Sequence, residues 1–258
     1  MSEIEFRNER LQRISEYAND TSLREIADAW ILNSMKKMYL YNFDWLGRPI
    51  IQYPEDMVSV QELIWEVKPT LVIETGVAHG GSLMLSASML AILDYCEAAA
   101  SGSPINPKDS IRKVIGVDID IRRHNREAIE KHPLGVLIDL VEGSSISGDV
   151  VAHIQREVSK HSSVMVFLDS NHTHEHVLEE LKIYSKFVSS GSYCVVFDTF
   201  VENMPEGYFE NRPWDKGNSP MTAVKDFLSI DESFEIDSSR ENKLLITVAP
   251  SGHLRKVR

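Results

Sequence analysis

Cysteine, positive charge and long apolar runs are all scarce in this sequence. Its two cysteines, Cys96 and Cys194, lie within apolar segments, so neither a disulfide framework nor a cysteine-rich zinc site is indicated. The formal net charge of −12 argues against nucleic acid as the main partner, because phosphate binding needs a basic surface. The charged N-terminus has no apolar signal core, and no run approaches the length of a membrane span. We therefore expect a soluble cytoplasmic protein.

What the sequence does contain is a hydrophobic fraction of 43% over 258 residues, enough for one large domain with a sizeable core. Apolar strand-like runs alternate with helical segments from residue 70 onward, which is typical of a doubly wound α/β domain. We place this domain at residues 56–250, with its last strands at Phe234–Ile236 and Leu244–Val248. Residues 1–55 form an N-terminal helical extension with an aromatic loop, and residues 251–258 a loose basic tail.

Three segments outside the repeating units bear on function. Residues 3–39 have apolar residues at helical spacing over two helices, which would cover a site, form an oligomer contact or simply pack. In residues 40–55 the aromatic side chains either line a pocket or pin the loop to the core; they are Tyr41, Trp45 and Tyr53. Residues 200–217 form a long loop after a strand, where open α/β sheets bind ligands.

A glycine-rich turn follows the first strand of the α/β domain. The segment Glu74-Thr75-Gly76-Val77-Ala78-His79-Gly80-Gly81-Ser82 joins the apolar run that begins at Thr70 to a long apolar segment, Leu83 to Ala100. Glycine permits positive φ in such a turn, and the missing side chain lets a ligand approach the backbone. The helix that begins near Gly80 points free N–H groups toward that ligand. We expect Gly76, Ala78, Gly80, Gly81 and Ser82 to contact a cofactor.

The acid beside this turn indicates which cofactor. Dinucleotide sites place a pyrophosphate over G-x-G-x-x-G, whereas here the order is E-x-G-x-x-x-G-G-S, with Glu74 beside the loop. A carboxylate suits a ligand that carries a positive group, and S-adenosylmethionine carries both an amino acid and a sulfonium. The alternative is an ordinary strand-to-helix turn with incidental glycines.

Two further strand ends carry polar side chains suited to a nucleoside. The second strand, Lys113 to Asp118, ends in an acid, and a carboxylate there commonly binds ribose hydroxyls. The alternative for Asp118 is an N-cap of the next helix. After the third strand, Ser144 either faces an adenine or belongs to a turn.

The fourth and fifth strands also end in acids, Asp169 and Asp198. Parallel strands bring their carboxyl ends to one edge of the sheet, so these carboxylates are expected to lie together and to repel each other. A hard divalent cation such as Mg²⁺ between them would relieve the repulsion, and Thr199 would add an oxygen ligand. Otherwise each acid caps a helix or pairs with an arginine.

Histidines follow the fourth strand closely. His172, three residues after Asp169, can reach a substrate hydroxyl near the metal and accept its proton. The run His172-Thr-His-Glu-His176 departs from the H-x-H-x-D-H pattern of dinuclear hydrolases, because positions 176 and 177 are His and Val. We expect His174 and His176 to be surface or packing residues.

Six motifs in order resemble one known family: ETGVAHGGS, VIGVDIDIRRHNREAI, EGSSIS, FLDSNHTHEHVLEEL, GSYCVVFDT and RPWDKGNSPMTAVKDFL. Together they resemble the cephalosporin hydroxylase, or rhamnosyl O-methyltransferase, family over roughly residues 40–250. The resemblance implies the class I S-adenosylmethionine-dependent methyltransferase fold, Rossmann-like, with a seven-stranded sheet whose last strand is antiparallel. It also implies Mg²⁺-dependent O-methylation of sugar hydroxyls.

Carried onto this chain, the resemblance implies a cofactor site at Glu74 and the glycine turn, with the ribose held by Asp118. It implies Asp169 as the first metal ligand and His172 as the base. The family motif V-E-D-T would place two metal-binding acids together, but this chain has Phe197 in place of the glutamate before Asp198.

The resulting prediction is an O-methyltransferase acting on a sugar or another small-molecule hydroxyl, with Asp169 and His172 as its catalytic residues and Asp169 also beside the cofactor. We expect no nucleic-acid partner, and a homo-oligomer through the N-terminal helices. One alternative is a non-haem iron hydroxylase, as the family's name suggests, with His172, His176 and Asp169 on the ion. Another is a protein that binds S-adenosylmethionine without catalysis, which Phe197 favours.

Overall fold

The computed structural model describes residues 1–258. A small antiparallel hairpin, β1 (Phe43–Trp45) and β2 (Arg48–Ile50), precedes the main sheet. The main sheet has seven strands: β3 (Leu71–Thr75), β4 (Lys113–Asp118), β5 (Ile138–Glu142), β6 (Val164–Leu168), β7 (Tyr193–Val196), β8 (Phe234–Ile236) and β9 (His253–Lys256). Their order is β5-β4-β3-β6-β7-β9-β8, and only β9 runs antiparallel to its neighbours. The sequence order reverses between β3 and β6, which is where such sheets bind ligands.

Nine α-helices surround these strands. They are α1 (Glu3–Tyr17), α2 (Thr21–Met35), α3 (Pro54–Val67), α4 (Gly81–Ser101), α5 (Arg123–Lys131), α6 (Gly148–Val158), α7 (His174–Tyr184), α8 (Pro220–Ile230) and α9 (Ser238–Leu244). Short 3₁₀ turns occupy Tyr39–Asn42, Pro107–Asp109, Pro133–Leu137 and Thr199–Asn203.

The two N-terminal helices form where the sequence places caps. Ser2 and Glu5 make a capping box at the start of α1, and the Asp20 side chain accepts a hydrogen bond from the Leu23 amide at the start of α2. Helix α1 buries Ile14 alone and packs on α9. The predicted helical extension is therefore confirmed.

Both faces of the sheet are covered. Every residue of β3 and β6 is buried, as the continuous apolar runs of a two-sided parallel sheet require. One buried cluster joins α3 and α4 to one face, and a second joins α6, α7 and α8 to the other. Their alternation confirms the doubly wound α/β architecture.

The C-terminal prediction is wrong in two places. The apolar run 244–248 is not a strand: α9 ends at Leu244, and Val248 is buried in a loop, where its amide donates to Asp56 2.9 Å away. The last strand is β9, inside the segment expected to be a loose tail. His253 and Leu254 are buried, while Arg255 is exposed, and the basic residues of this segment hid the strand.

The prediction that no run approaches a membrane span is also corrected. Helix α4 is long and apolar enough to cross a membrane by length and composition. In the structure it packs against α3 and β4, so its apolar character belongs to the core of the sheet domain.

Candidate active site

The loop between β3 and α4 is held so tightly that glycine is required by its protein neighbours. Gly76 has φ +93°, and a Cβ there would lie 2.1 Å from the carbonyl oxygen of Asp169. Gly80 has φ +82°, and a Cβ there would lie 2.5 Å from the Ile129 side chain. The predicted turn is present, but the space that these two glycines leave is taken by the residue after β6 and by α5 rather than by a ligand.

Glu74 is the buried carboxylate next to this loop. Its side chain is 2% exposed; one oxygen accepts a hydrogen bond from the Ser82 hydroxyl, and Oε2 has no partner. Burial raises the pKa of Glu74 to about 8, against the opposing effect of the Ser82 hydrogen bond. No cation of the protein pairs with it. A positive group beside Glu74 would therefore stabilise the charged form of its carboxylate.

Asp118 braces the same loop from the end of β4. Its Oδ2 accepts hydrogen bonds from the amides of Val77, at 2.8 Å, and Ala78, at 3.4 Å, while Oδ1 accepts from Asp120. The carboxylate also lines the cavity described below. It does not cap α5. Ribose binding by Asp118 stays a prediction.

A second brace went unnoticed in the sequence. The guanidinium of Arg48, on β2, donates two hydrogen bonds to the His79 carbonyl and one, of 2.9 Å, to Asn125. Asn125 in turn donates to the carbonyl of Ala78, which adopts a left-handed φ of 43°. These contacts join residues up to 77 positions apart, so no local sequence pattern predicts them.

At the ends of β6 and β7, Asp169, His172 and Asp198 converge. One ligand atom from each lies within 4.8 Å of the other two. His172 Nε2 is 3.1 Å from Asp198 Oδ2, and the imidazole packs against the Trp214 ring in a T-shaped arrangement with ring centroids 4.7 Å apart. The predicted clustering of the two strand-end acids is thus present, with the predicted base among them.

The two acids of this cluster have raised pKa values. Burial, and then the nearby carboxylate of Asp198, hold the pKa of Asp169 well above its ordinary value. Burial also raises the pKa of Asp198, while His172 acts in the opposite direction. Asp198 has a left-handed φ of 57°, a strained conformation for a residue other than glycine.

Other predicted site residues lie apart from this convergence. The Thr199 hydroxyl donates to the Pro250 carbonyl at 2.6 Å, and its role as a metal ligand stays a prediction. The Ser144 carbonyl accepts a hydrogen bond from the Ser147 hydroxyl in the turn before α6, and a contact of Ser144 with an adenine stays a prediction.

The other two histidines of the run after β6 make packing contacts with neighbouring helices and loops. His174 Nδ1 lies 2.8 Å from the Thr222 hydroxyl, at the contact between α7 and α8. His176 Nε2 lies 3.1 Å from the Ser145 hydroxyl and 3.4 Å from the buried Glu180 carboxylate.

One cavity of about 460 Å³ joins the glycine loop to the acid cluster. Its lining includes the predicted residues Gly76, Ala78, Gly80, Gly81, Ser82, Asp118, Asp169, His172 and Asp198. Aromatic side chains from the long loop close the far end: Phe200, Phe209 and Trp214. Tyr41 also lines it, whereas Trp45 and Tyr53 pin the aromatic loop by bonding Ser88 and Ser34.

The strand order, the reversed strand β9 and the position of the cavity define the class I methyltransferase fold. Two solved structures show the same fold: CmcI without ligand and CmcI with magnesium and S-adenosylmethionine, each 18% identical with a TM-score of 0.55. They cover 84% of this chain, and the match spans 77% and 78% of those chains.

Sequence comparison narrows the class. The chain belongs to the rhamnosyl O-methyltransferase/CmcI family, whose model matches residues 37–257. It is 30% identical to the rhamnosyl O-methyltransferase of Mycobacterium tuberculosis over 227 residues, which is 84% of this chain and 82% of that relative. It is 27% identical to the Mycobacterium leprae relative over 232 residues, covering 87% and 90% of the two chains.

Proposed function

We propose that this protein transfers the methyl group of S-adenosylmethionine to a hydroxyl of a saccharide. One observation carries the proposal: a single cavity runs from the glycine loop, where Ser82 donates a hydrogen bond to the buried Glu74, to the cluster of Asp169, His172 and Asp198. The first feature suits a cationic cofactor and the second an acid–base reaction at a hydroxyl. Membership of the family, and the name of its curated relatives, support the sugar acceptor.

The residues at the glycine loop fit the cofactor. Glu74 has a buried oxygen without a partner, next to the start of α4, which has no side-chain cap. The α-ammonium of the cofactor would satisfy the acid, and free amides at the helix start would receive its α-carboxylate. Asp118, at the other side of the loop, would accept from ribose hydroxyls.

The acid cluster fits a divalent cation. When charged, the buried carboxylates of Asp169 and Asp198 repel each other, and a cation between them would relieve this repulsion. One oxygen of each lies within 4.8 Å of the other and of a His172 ring nitrogen. Oxygen donors of this kind suit Mg²⁺. When bound, S-adenosylmethionine supplies an electrophilic methyl group, and the cation lowers the pKa of the acceptor hydroxyl.

The chain's own residues then have distinct tasks. The His172 imidazole accepts the proton of the acceptor hydroxyl, and Asp198, 3.1 Å away, stabilises the imidazolium that forms. Asp169 is fixed by the contact of its backbone with Gly76, so the acceptor side is held in register with the cofactor loop. Trp214 and Phe209 provide flat apolar surfaces on which a sugar ring can lie while water is excluded.

The two alternatives differ from this proposal in their site requirements. An iron site on His172, His176 and Asp169 would need His176 in the cluster, but its Nε2 is engaged with Ser145 and Glu180. A protein that binds without catalysis would need no base, yet His172 lies in the cavity with a carboxylate beside it.

The test is calorimetric titration of the full chain with S-adenosylmethionine, with and without Mg²⁺, on the natural sequence and on Asp169→Ala. We expect micromolar binding that tightens with Mg²⁺ in the natural sequence and loses that tightening in the variant. Methyl transfer to rhamnosyl glycosides then tests the acceptor. Absence of cofactor binding under both conditions would refute the methyltransferase.

We further propose that the protein self-associates through its N-terminal helices. Large apolar side chains of α1 and α2 are exposed, namely Ile4, Phe6, Leu11, Ile26 and Trp30. Light scattering should show a mass above that of one chain, and Leu11→Glu with Trp30→Glu should restore it to 29.3 kDa.

A further inference from the structure

Gln52 is a buried polar residue for which the protein provides no partner. It precedes α3, is 3% exposed and lines the main cavity. The Oε1 atom of its carboxamide is fully buried without a hydrogen bond. Turning the amide over would leave the nitrogen in that place instead, so one end lacks a partner in either orientation. Buried polar groups are normally satisfied, which points to a ligand as the missing partner.

The neighbouring residues indicate which part of a ligand Gln52 faces. Pro49 and Ile50, shortly before Gln52, lie against the start of α4: a Cβ on Gly81 would be 2.3 Å from the Pro49 carbonyl oxygen and 2.6 Å from the Ile50 Cβ. Helix α4 begins without a side-chain cap, and its first intrahelical bond runs from the Met84 amide to Gly80. The amides before Met84 thus lack helical partners, and Gly81 and Ser82 line the same cavity as Gln52.

We propose that Gln52 is a positioning residue for the amino-acid end of S-adenosylmethionine, its carboxamide N–H donating to the cofactor's α-carboxylate together with the start of α4. This inference rests on the proposed function. Glu74 then takes the α-ammonium. A neutral carboxamide suits this place, because it donates to a carboxylate without forming an ion pair with Glu74 that would displace the ammonium.

The experiment compares three ligands by calorimetry on the full chain. S-adenosylhomocysteine has the complete amino-acid end, its decarboxylated analogue lacks the α-carboxylate, and 5′-methylthioadenosine lacks the whole amino-acid end. The variant is Gln52→Leu, which keeps a similar volume and removes the amide. The matched control is Gln61→Leu, in the helix α3 that follows Gln52 and outside the cavity lining. Thermal unfolding of each protein without ligand is measured in parallel.

We expect Gln52→Leu to weaken S-adenosylhomocysteine about ten- to a hundredfold, as loss of a hydrogen bond to a charged group does. The affinities for the decarboxylated analogue and for 5′-methylthioadenosine should stay unchanged, and Gln61→Leu should leave all three unchanged. The unfolding temperature of Gln52→Leu should stay level or rise, because an unsatisfied polar group is replaced by an apolar one. A purely structural residue would lower it.

Other results overturn the inference. Unchanged binding of S-adenosylhomocysteine would show that Gln52 does not contact the cofactor, while the proposed function stands. Equal weakening of all three ligands would place its effect on the cavity as a whole. Equal weakening of the first two would shift the contact to the ammonium. If the natural sequence bound none of the three, the proposed function itself would fail.

Discussion

His172 Nε2 and Asp198 Oδ2 lie 3.1 Å apart at the ends of two neighbouring strands of the sheet. A base needs such a carboxylate to stabilise its charged form, but a metal ligand in this position would show the same proximity. The two roles are separable by experiment, because a base is needed for turnover and a ligand for metal affinity.

We predict that His172→Gln lowers kcat by about 100-fold or more while changing the affinity for Mn²⁺, used as a spectroscopic substitute for Mg²⁺, by less than about threefold. Asp169→Asn should abolish Mn²⁺ binding. Paramagnetic resonance of free Mn²⁺ measures the affinity of both variants, and a methyl-transfer assay measures kcat. Loss of Mn²⁺ affinity in His172→Gln would instead make this histidine a ligand.

A second prediction concerns the proton on Glu74. Its pKa of about 8 leaves it protonated at pH 7, and an ammonium bound beside it favours the charged form. Cofactor binding at pH 7 should therefore release nearly one proton, and affinity should rise up to tenfold per pH unit below pH 8 and level off above it. Calorimetry in buffers of different ionisation enthalpy measures the release. In Glu74→Gln both effects should vanish; persistence there would assign the proton to another group.

A third prediction concerns folding stability. Gly76 and Gly191 have similar positive φ values, +93° and +79°, but a Cβ on Gly76 meets the Asp169 backbone whereas one on Gly191 meets nothing within 4 Å. Gly191→Ala should lower the free energy of unfolding by about 1 kcal/mol from backbone strain alone. Gly76→Ala should lower it by about 3 kcal/mol or more, because backbone must move. Urea titration compares them, and equal losses would mean that the loop yields easily.

A fourth prediction concerns the aromatic end of the cavity. Trp214 forms a T-shaped pair with the His172 ring and has the Arg212 guanidinium 5.3 Å from its ring centroid. Trp214→Leu should raise the acceptor KM about tenfold and leave cofactor affinity unchanged, because only the sugar surface is removed. Trp65→Leu, on the remote exposed face of α3, is the matched control. A change in cofactor affinity alone would place the sugar elsewhere.

Local patterns sufficed for most of the sheet. Strand β4 was predicted at its observed bounds because a buried apolar run ends there in an acid, and the same signal located β3, β6 and β7. The clustering of Asp169 with Asp198 followed from parallel topology alone. Strand β9 was missed because its outward residues are basic, and the apolar run 244–248 misled because buried loops are as apolar as strands.

The unpredicted parts of the site depend on long-range contacts. Arg48 stabilises the glycine loop from the hairpin β1–β2. Gln52 is one of several polar residues in an aromatic stretch, and no sequence neighbour reveals that it is buried. The glycines were recognised, but the reason for them was not: Gly76 is required by the backbone of Asp169, just after β6 and 93 positions later. Periodicity gives the elements; which groups face each other across the cavity depends on their packing.

The contact of Gly76 with Asp169 also constrains how the protein can move. The glycine loop contacts the end of the strand that carries Asp169. The contact is between backbone atoms, with no side chain between them. The glycine loop and the acid cluster therefore form one rigid unit, and we do not expect them to separate for ligand exchange. Entry and exit must pass through the outer cover, where residues 200–217 and the N-terminal segment meet the cavity, so changes in those segments should alter turnover without altering the alignment of the reacting groups.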